Sequence, residues 1–267
     1  MQVKRYVMIK LKSLLVEGKK PKFKLKSGID LELSLFLQKK FIDKKSDVVG
    51  REFEDLIVKY FTGGFAQTNV GTVESAFSDV KQGNTYYSVK YSKAVASSTL
   101  STVTGNNFRY TTIGKLISQS VLASEGRFTN ELSKIKSQKE LKEFMKDKKI
   151  STNNFGIIAG YAFKDGDSII LKIQYSNILS GKELYNKLLK FYRSTKDINA
   201  QLRSHTVTKV FGAAGAEEFK LPAGDSVIAN IKDEVEKLII DPVFALPADI
   251  IDAIKKLPGI LGKYLKV

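Results

Sequence analysis

Apolar residues recur with the spacing of helices in several segments of the chain. The clearest segment lies between residues 48 and 61, and the pair Gly63-Gly64 predicts where this helix ends. Its apolar positions are three or four residues apart and form one stripe, made of Val49, Phe53, Leu56, Ile57 and Tyr60. Further helices are predicted over 31–41, 112–124, 130–148, 181–192, 227–240 and 248–265.

Alternation of apolar and polar residues predicts strands in two hairpins. Their strands are 76–80 with 86–91, and 155–163 with 168–175. The turns contain Gly83-Asn84 and Asp165-Gly166, which are dipeptides that favour hairpins. Residues 1–26 also look rich in strand, whereas the glycine-rich segment 206–221 has no assignable pattern. This order of helices and hairpins predicts an α/β fold with a mixed central β-sheet flanked by helices.

The residue types that the chain lacks exclude several kinds of site. Among its 267 residues there is no cysteine and one histidine, His205, which has no acidic neighbours in sequence and which we interpret as structural. Disulfides, zinc fingers, iron–sulfur clusters and cysteine nucleophiles are therefore excluded. A bound metal would need oxygen ligands, which favours magnesium, manganese or calcium. Segment 212–215 lacks the Gly-Lys-Ser/Thr of a phosphate-binding loop, so no nucleotide cofactor is expected.

Charge favours a polyanionic partner. The formal net charge is +16, from 44 basic and 28 acidic residues, and this excess indicates nucleic acid first. Only six of the basic residues are arginine, the commoner reader of guanine edges, so we expect binding dominated by lysine contacts to the DNA backbone. The alternative is an AT-rich genome, which enriches lysine codons throughout.

The sequence pattern predicts neither a transmembrane helix nor a signal peptide. No apolar run of eighteen residues predicts a transmembrane helix, and residues 1–12 lack the apolar region and cleavage site of a signal peptide. We therefore expect no membrane insertion and a cytoplasmic location.

The first hairpin predicts a cluster of three polar side chains. If Gly83-Asn84 is a two-residue turn, Gln82 faces Thr85 and the pairing places Asp79 opposite Ser88. Side chains alternate across a strand, so Ser88 and Lys90 share a face. Asp79, Ser88 and Lys90 would then converge, and a slip of one residue in register would separate them.

This cluster suits the hydrolysis of phosphodiesters. The reaction needs a carboxylate to hold a divalent metal near the phosphate, a group that places the attacking water, and positive charge that offsets the transition state. Asp79 and Lys90 supply such groups, and Glu54 flanks the apolar stripe of the 48–61 helix as a second carboxylate. Lys81, Lys93 and Arg109 are candidate contacts to DNA phosphates, although the loop that ends at Arg109 reads equally well as a plain surface loop.

At these residues the sequence resembles the PD-(D/E)XK nuclease superfamily, whose signature is a helix with a glutamate, a strand aspartate, and an acid-x-Lys in the next strand. The corresponding elements are Gly50-x-x-Phe53-Glu54, Ser78-Asp79 and Ser88-Val89-Lys90. The resemblance covers about residues 48–91. It implies a restriction-endonuclease-like core and a Mg²⁺-dependent cleavage of DNA that leaves 5′-phosphate ends, with Mn²⁺ as a substitute metal.

Ser88 departs from this signature, because the family usually has an acid at that position. We expect Glu54 to replace the missing metal ligand, with Glu52, Asp55 or Glu74 as alternatives. The metal ligands implied are thus Asp79 and Glu54, the catalytic residues Glu54, Asp79 and Lys90, and the supporting residue Ser88.

We divide the chain into an N-terminal strand/helix segment (1–47), a nuclease-like core (48–195) and a mostly helical C-terminal extension (196–267). The first functional hypothesis is a DNA endonuclease of the restriction, homing, phage or mobile-element kind, which would be a homodimer if it makes double-strand breaks. The second is a basic DNA-binding or virion/assembly protein without catalysis. The third is a cationic protein of membrane surfaces, which would act through the amphipathic segment 247–267.

Overall fold

The computed structural model describes residues 23–42, 44, 49–68, 77–96, 111–201 and 210–223. Within them the strands are β1 Phe65–Gln67, β2 Val80–Gln82, β3 Thr85–Tyr91, β4 Asn154–Asp165, β5 Ser168–Ser176, β6 Leu179–Ser180 and β7 Ala213–Pro222. The helices are α1 Asp30–Lys40, α2 Gly50–Tyr60, α3 Ile113–Leu116, α4 Thr129–Ser133, α5 Gln138–Lys146 and α6 Gly181–Thr195, and a short 3₁₀ turn spans Lys93–Ala96.

The strands form one mixed sheet in the order β1-β2-β3-β4-β5-β7, with β6 paired to the start of β4. Neighbouring strands are antiparallel except for β3 and β4, which run parallel from Thr85 opposite Asn154 to Tyr91 opposite Gly160. Helices cover the sheet on both faces. The predicted α/β fold with a mixed, helix-flanked sheet is confirmed.

One face of the sheet carries α1 and α2. The alternation of β3 directs Tyr87, Val89 and Tyr91 to this face, where they pack against the buried stripe of α2. Gly160 of β4 lies under the ring of Phe53, so the helix rests close to the sheet. α2 ends at Tyr60. The capping residue Phe61 is extended, and Gly63 and Gly64 follow with positive φ of 100° and 72°. This close packing fixes the helix that carries Glu54.

The opposite face carries the remaining helices. Phe155 and Ile157 of β4 pack there against apolar residues of α3, α5 and α6, including Leu116, Leu141 and Leu184. α6 begins with a capping box, in which Ser180 accepts from the N–H of Glu183 and Glu183 accepts from the N–H of Ser180.

Two predicted helices differ from those observed. The pattern over 112–124 forms only the short α3, which continues as a π-helical turn over Ile117–Val121. The predicted helix 130–148 is divided into α4 and α5, because the Ser137 hydroxyl accepts from the N–H of Glu140 and starts a new helix. The first strand of the first hairpin is also displaced, since β2 spans Val80–Gln82 rather than 76–80.

The two terminal segments contribute to the central domain. α1, in segment 1–47, buries Leu33 and Leu37 in the same core as α2. The segment that had no assignable pattern contains β7, which pairs with β5 along the sheet. One part of the segment 196–267 is therefore a strand of the central sheet. Predicted strands before residue 23 and predicted helices after residue 223 lie outside the described residues. Within the described residues, no helix is long and apolar enough to span a membrane.

Candidate active site

The first hairpin has the register that the sequence predicts. Gln82 pairs with Thr85 and Val80 with Tyr87 around the Gly83-Asn84 turn. The ladder ends at Val80, but the N–H of Asp79 still donates to the carbonyl of Tyr87 at 2.9 Å. Asp79 therefore lies opposite Ser88, at the start of β2 and on the face of the sheet to which Ser88 and Lys90 point.

One oxygen of the Asp79 carboxylate collects all three neighbouring donors. Oδ2 accepts from the backbone N–H of Val89 at 2.7 Å, from Nζ of Lys90 at 3.3 Å and from the hydroxyl of Ser88 at 3.5 Å. The last distance is at the limit of a hydrogen bond, so Ser88 is the weakest of the three donors.

The side chains of the site are mostly buried. The side chains of Lys90 and Asp79 are 26% and 27% exposed, and Ser88 is 2% exposed. An ion pair at this depth interacts more strongly than one on the open surface, since the effective dielectric constant is lower. Both charged groups nevertheless stay partly exposed, so a ligand can reach them.

Glu54 approaches this pair from α2. Burial raises the pKa of its carboxyl first, the charge of Asp79 raises it further, and the charges of Lys90 and Arg51 partly offset these effects. Two carboxylates that repel each other in a partly buried setting favour a cation between or beside them. Glu54 and Asp79 thus act on each other electrostatically, although they belong to different elements.

The donor set fits a magnesium ion. Mg²⁺ prefers oxygen ligands and is commonly held by one or two carboxylates, with waters and substrate phosphates completing its shell. Asp79 and Glu54 offer two carboxylates that affect each other electrostatically. In the ranges that the structure describes, there is no group of three or more acidic or histidine side chains placed to hold a metal.

The alternative acids near Glu54 have other partners. Glu52 lies 4.0 Å from Nζ of Lys40, and Asp55 accepts a hydrogen bond from the side chain of Gln67. Glu74 lies outside the described residues, as do Arg109 and His205.

Two of the three proposed DNA contacts fall near the cluster. Lys81 lies two residues after Asp79 on the same side of β2, and it pairs with Tyr86. Lys93 is exposed at the start of the 3₁₀ turn that follows β3 directly.

Sequence reasoning missed two contributors. The backbone N–H of Val89 holds the Asp79 carboxylate, and no residue type signals such a contact. Arg51 acts on Glu54 from one turn earlier in α2, a relation that the i, i+3 spacing could have indicated.

Comparisons of the chain with protein-family models, with curated proteins and with solved structures found no match.

Proposed function

We propose that this protein is a magnesium-dependent DNA endonuclease with a restriction-endonuclease-like core, and that the β2–β3 hairpin carries its active site. The observation that supports this most is the convergence of Asp79, Ser88 and Lys90 on one face of the β2–β3 hairpin. The observed order, a helix with Glu54, a strand with Asp79 and a next strand with Lys90, agrees with the signature of the PD-(D/E)XK superfamily.

Asp79 would be the principal metal ligand. Its carboxylate is held in place by the Val89 N–H, which belongs to a strand at the centre of the sheet, so its orientation costs no reorganisation during the reaction. Glu54 would be the second ligand, and its elevated pKa indicates a group whose charge is costly until a cation is near. When bound, Mg²⁺ would polarise the scissile phosphate and lower the pKa of a coordinated water.

Lys90 would act on the phosphate itself. Its ammonium group lies beside Asp79 and is partly exposed, so it can donate to a phosphate oxygen or orient the attacking water. The water attacks phosphorus and the bond to the 3′ oxygen breaks, which leaves a 3′-hydroxyl and a 5′-phosphate. Lys90 would offset the extra negative charge of the pentacovalent transition state, and Ser88 would help to hold the Asp79–Lys90 pair.

The net charge of +16 supports DNA as the substrate, because phosphate contacts supply most of non-specific affinity. Lys81 belongs to the hairpin and Lys93 follows it closely in sequence, so both would be able to contact the DNA strand that is cut.

The test is cleavage of supercoiled, linear and single-stranded DNA with Mg²⁺, with Mn²⁺, or with a chelator. We expect cleavage with either ion and none with the chelator. If the protein binds DNA but cuts no substrate with any divalent ion, the proposed activity is wrong.

A second function has one observation in its favour. Ser88 stands where the superfamily usually has an acid, so the site has two carboxylates near Lys90 instead of three. A non-catalytic DNA-binding or virion protein would keep this basic hairpin without the need for a metal. Such a protein would show the same DNA affinity with Mg²⁺ and with the chelator at matched ionic strength, and no cleavage.

A further inference from the structure

A cavity lined mostly by polar residues lies between the start of α5 and the end of α6. Its volume is about 310 Å³, and six residues line it: Lys136, Ser137, Gln138, Tyr192, Arg193 and Lys196. None of these residues belongs to the Asp79–Lys90 site. Three of the six are cationic, and all three cationic side chains are exposed at the mouth of the cavity.

The start of α5 adds positive potential. This helix has nine residues, and its first backbone N–H groups face the end where Ser137 and Gln138 line the cavity. The Ser137 hydroxyl already accepts from the N–H of Glu140, and the helix dipole still favours an anion at this terminus. Arg193 is also suited to a phosphate, since its planar guanidinium can donate two parallel hydrogen bonds.

Two buried polar groups in the cavity wall point independently to a ligand. Tyr192 is 2% exposed, and neither its hydroxyl nor Nε2 of Gln138 has a hydrogen-bond partner among the residues that the structure describes. Buried polar atoms of folded proteins are nearly always paired, so two unpaired ones in a single small cavity call for an explanation. A hydroxyl can donate and an amide nitrogen only donates, so the missing partner is an acceptor.

Two acids near the cavity limit how much negative charge it can hold. Burial, and then the charges of Glu140 and Asp197, raise the pKa of Tyr192. The Glu140 carboxylate is already engaged, since it accepts from the Lys136 N–H at 2.8 Å and from the Ser137 hydroxyl at 3.0 Å. Asp197 accepts from the N–H of Asn199 at 2.8 Å. The three cationic side chains outnumber the two nearby acids by one, so the local excess of positive charge suits a single small anion.

We propose that this cavity binds one phosphate group, held by Arg193, Lys196 and Lys136 and by hydrogen bonds from Tyr192 and Gln138. The group belongs either to the backbone of bound DNA or to a free phosphate anion. The proposal goes beyond the proposed nuclease activity and does not depend on it.

The first arm of the test measures inorganic phosphate. Titration calorimetry and thermal shift at constant ionic strength, with chloride as the reference anion, compare the wild type with Arg193→Gln/Lys196→Gln and with Tyr192→Phe. The matched control is Lys139→Gln/Lys142→Gln, which removes two exposed charges of α5 that do not line the cavity. We expect phosphate affinity to fall about tenfold or more in the first two variants, the scale of a lost hydrogen bond to a charged group, and to stay unchanged in the control.

Tyr192→Phe separates a ligand contact from a structural role. Removal of an unpaired buried hydroxyl should leave the phosphate-free protein as stable as the wild type or more stable, while it weakens the response to phosphate. A Tyr192→Phe protein that binds phosphate as tightly as the wild type would overturn the proposal.

The second arm measures DNA binding as a function of salt. If the group is a backbone phosphate, Arg193→Gln/Lys196→Gln should lower the slope of log affinity against log salt by about one or two relative to the control variant. Loss of phosphate binding with an unchanged slope identifies a free phosphate, and loss of both identifies a backbone phosphate of DNA. If the cavity variants match the control in both arms, the proposal is wrong.

Discussion

Replacement of Gly160 by alanine tests how the sheet positions α2. Gly160 lies in β4 opposite Tyr91, and an added Cβ would come within 2.7 and 3.0 Å of two ring carbons of Phe53. Real Cβ atoms essentially never approach so closely, so the Phe53 ring must shift. Because this ring packs against Phe41 and Tyr91, we expect α2 to move away from the sheet with it. Glu54 follows Phe53 directly, and its distance from Asp79 should therefore increase.

The cost should be that of an overpacked core. One extra methyl group in a tightly packed interior costs about 1–3 kcal/mol. In a domain of this size each kcal/mol lowers Tm by about 2–4 °C, so Gly160→Ala should lower Tm by about 2–12 °C. Scanning calorimetry measures this shift, and Mg²⁺-dependent DNA cleavage measures the displacement of Glu54.

The matched control and the rescue are in the same helix. Gly50→Ala meets nothing within 4 Å and places a better helix former at the start of α2, so it should be neutral or stabilising by up to about 1 kcal/mol. Phe53→Leu removes ring atoms that the new Cβ would meet, and the double variant Gly160→Ala/Phe53→Leu should therefore be more stable than the sum of the two single changes by about 0.5–3 kcal/mol. A Gly160→Ala protein with unchanged Tm and activity would refute this account of the packing.

Three further outcomes follow from the same structure. Because the pKa of Glu54 is raised in the folded state, the ionised carboxylate destabilises the metal-free protein, and Glu54→Gln should raise Tm at neutral pH. This gain in Tm should vanish as the pH falls below 4.5, the ordinary pKa of glutamate. A gain that stays constant with pH would contradict this. Ser88→Ala should slow cleavage only a few-fold, since its hydroxyl lies 3.5 Å from Asp79; a loss as large as that of Asp79 would contradict a supporting role. DNA affinity should fall with salt at a log–log slope of several units, near 0.9 per neutralised phosphate, and a flat titration would contradict binding through lysines.

The hairpin could be predicted because its information is local. A two-residue turn at Gly83-Asn84 sets the register, and the register decides which side chains meet. Asp79, Ser88 and Lys90 therefore converge as the sequence indicates. The helix around Glu54 could be predicted for the same reason, since its apolar stripe has a single period.

Other features depend on contacts that are distant in sequence. β7 is exposed at most of its positions, so it has no alternating apolar pattern, and only its pairing with β5 makes it a strand. The break between α4 and α5 depends on the single hydroxyl of Ser137, which a pattern over 130–148 conceals. The approach of Glu54 to Asp79 needs the contact of Phe53 with Gly160, two residues more than a hundred positions apart.

The central claim is that the β2–β3 hairpin performs the chemistry. Its most direct test is the single-turnover rate of DNA cleavage by Asp79→Asn and Lys90→Ala, measured beside their DNA affinity. Controls are Asp165→Asn and Lys149→Ala, which remove the same charges at exposed positions outside the hairpin. We predict that each hairpin variant loses at least about 10²-fold in rate, the scale of one lost transition-state contact, and keeps its DNA affinity within a few-fold. Folded Asp79→Asn and Lys90→Ala proteins that both cleave at the wild-type rate would contradict the claim.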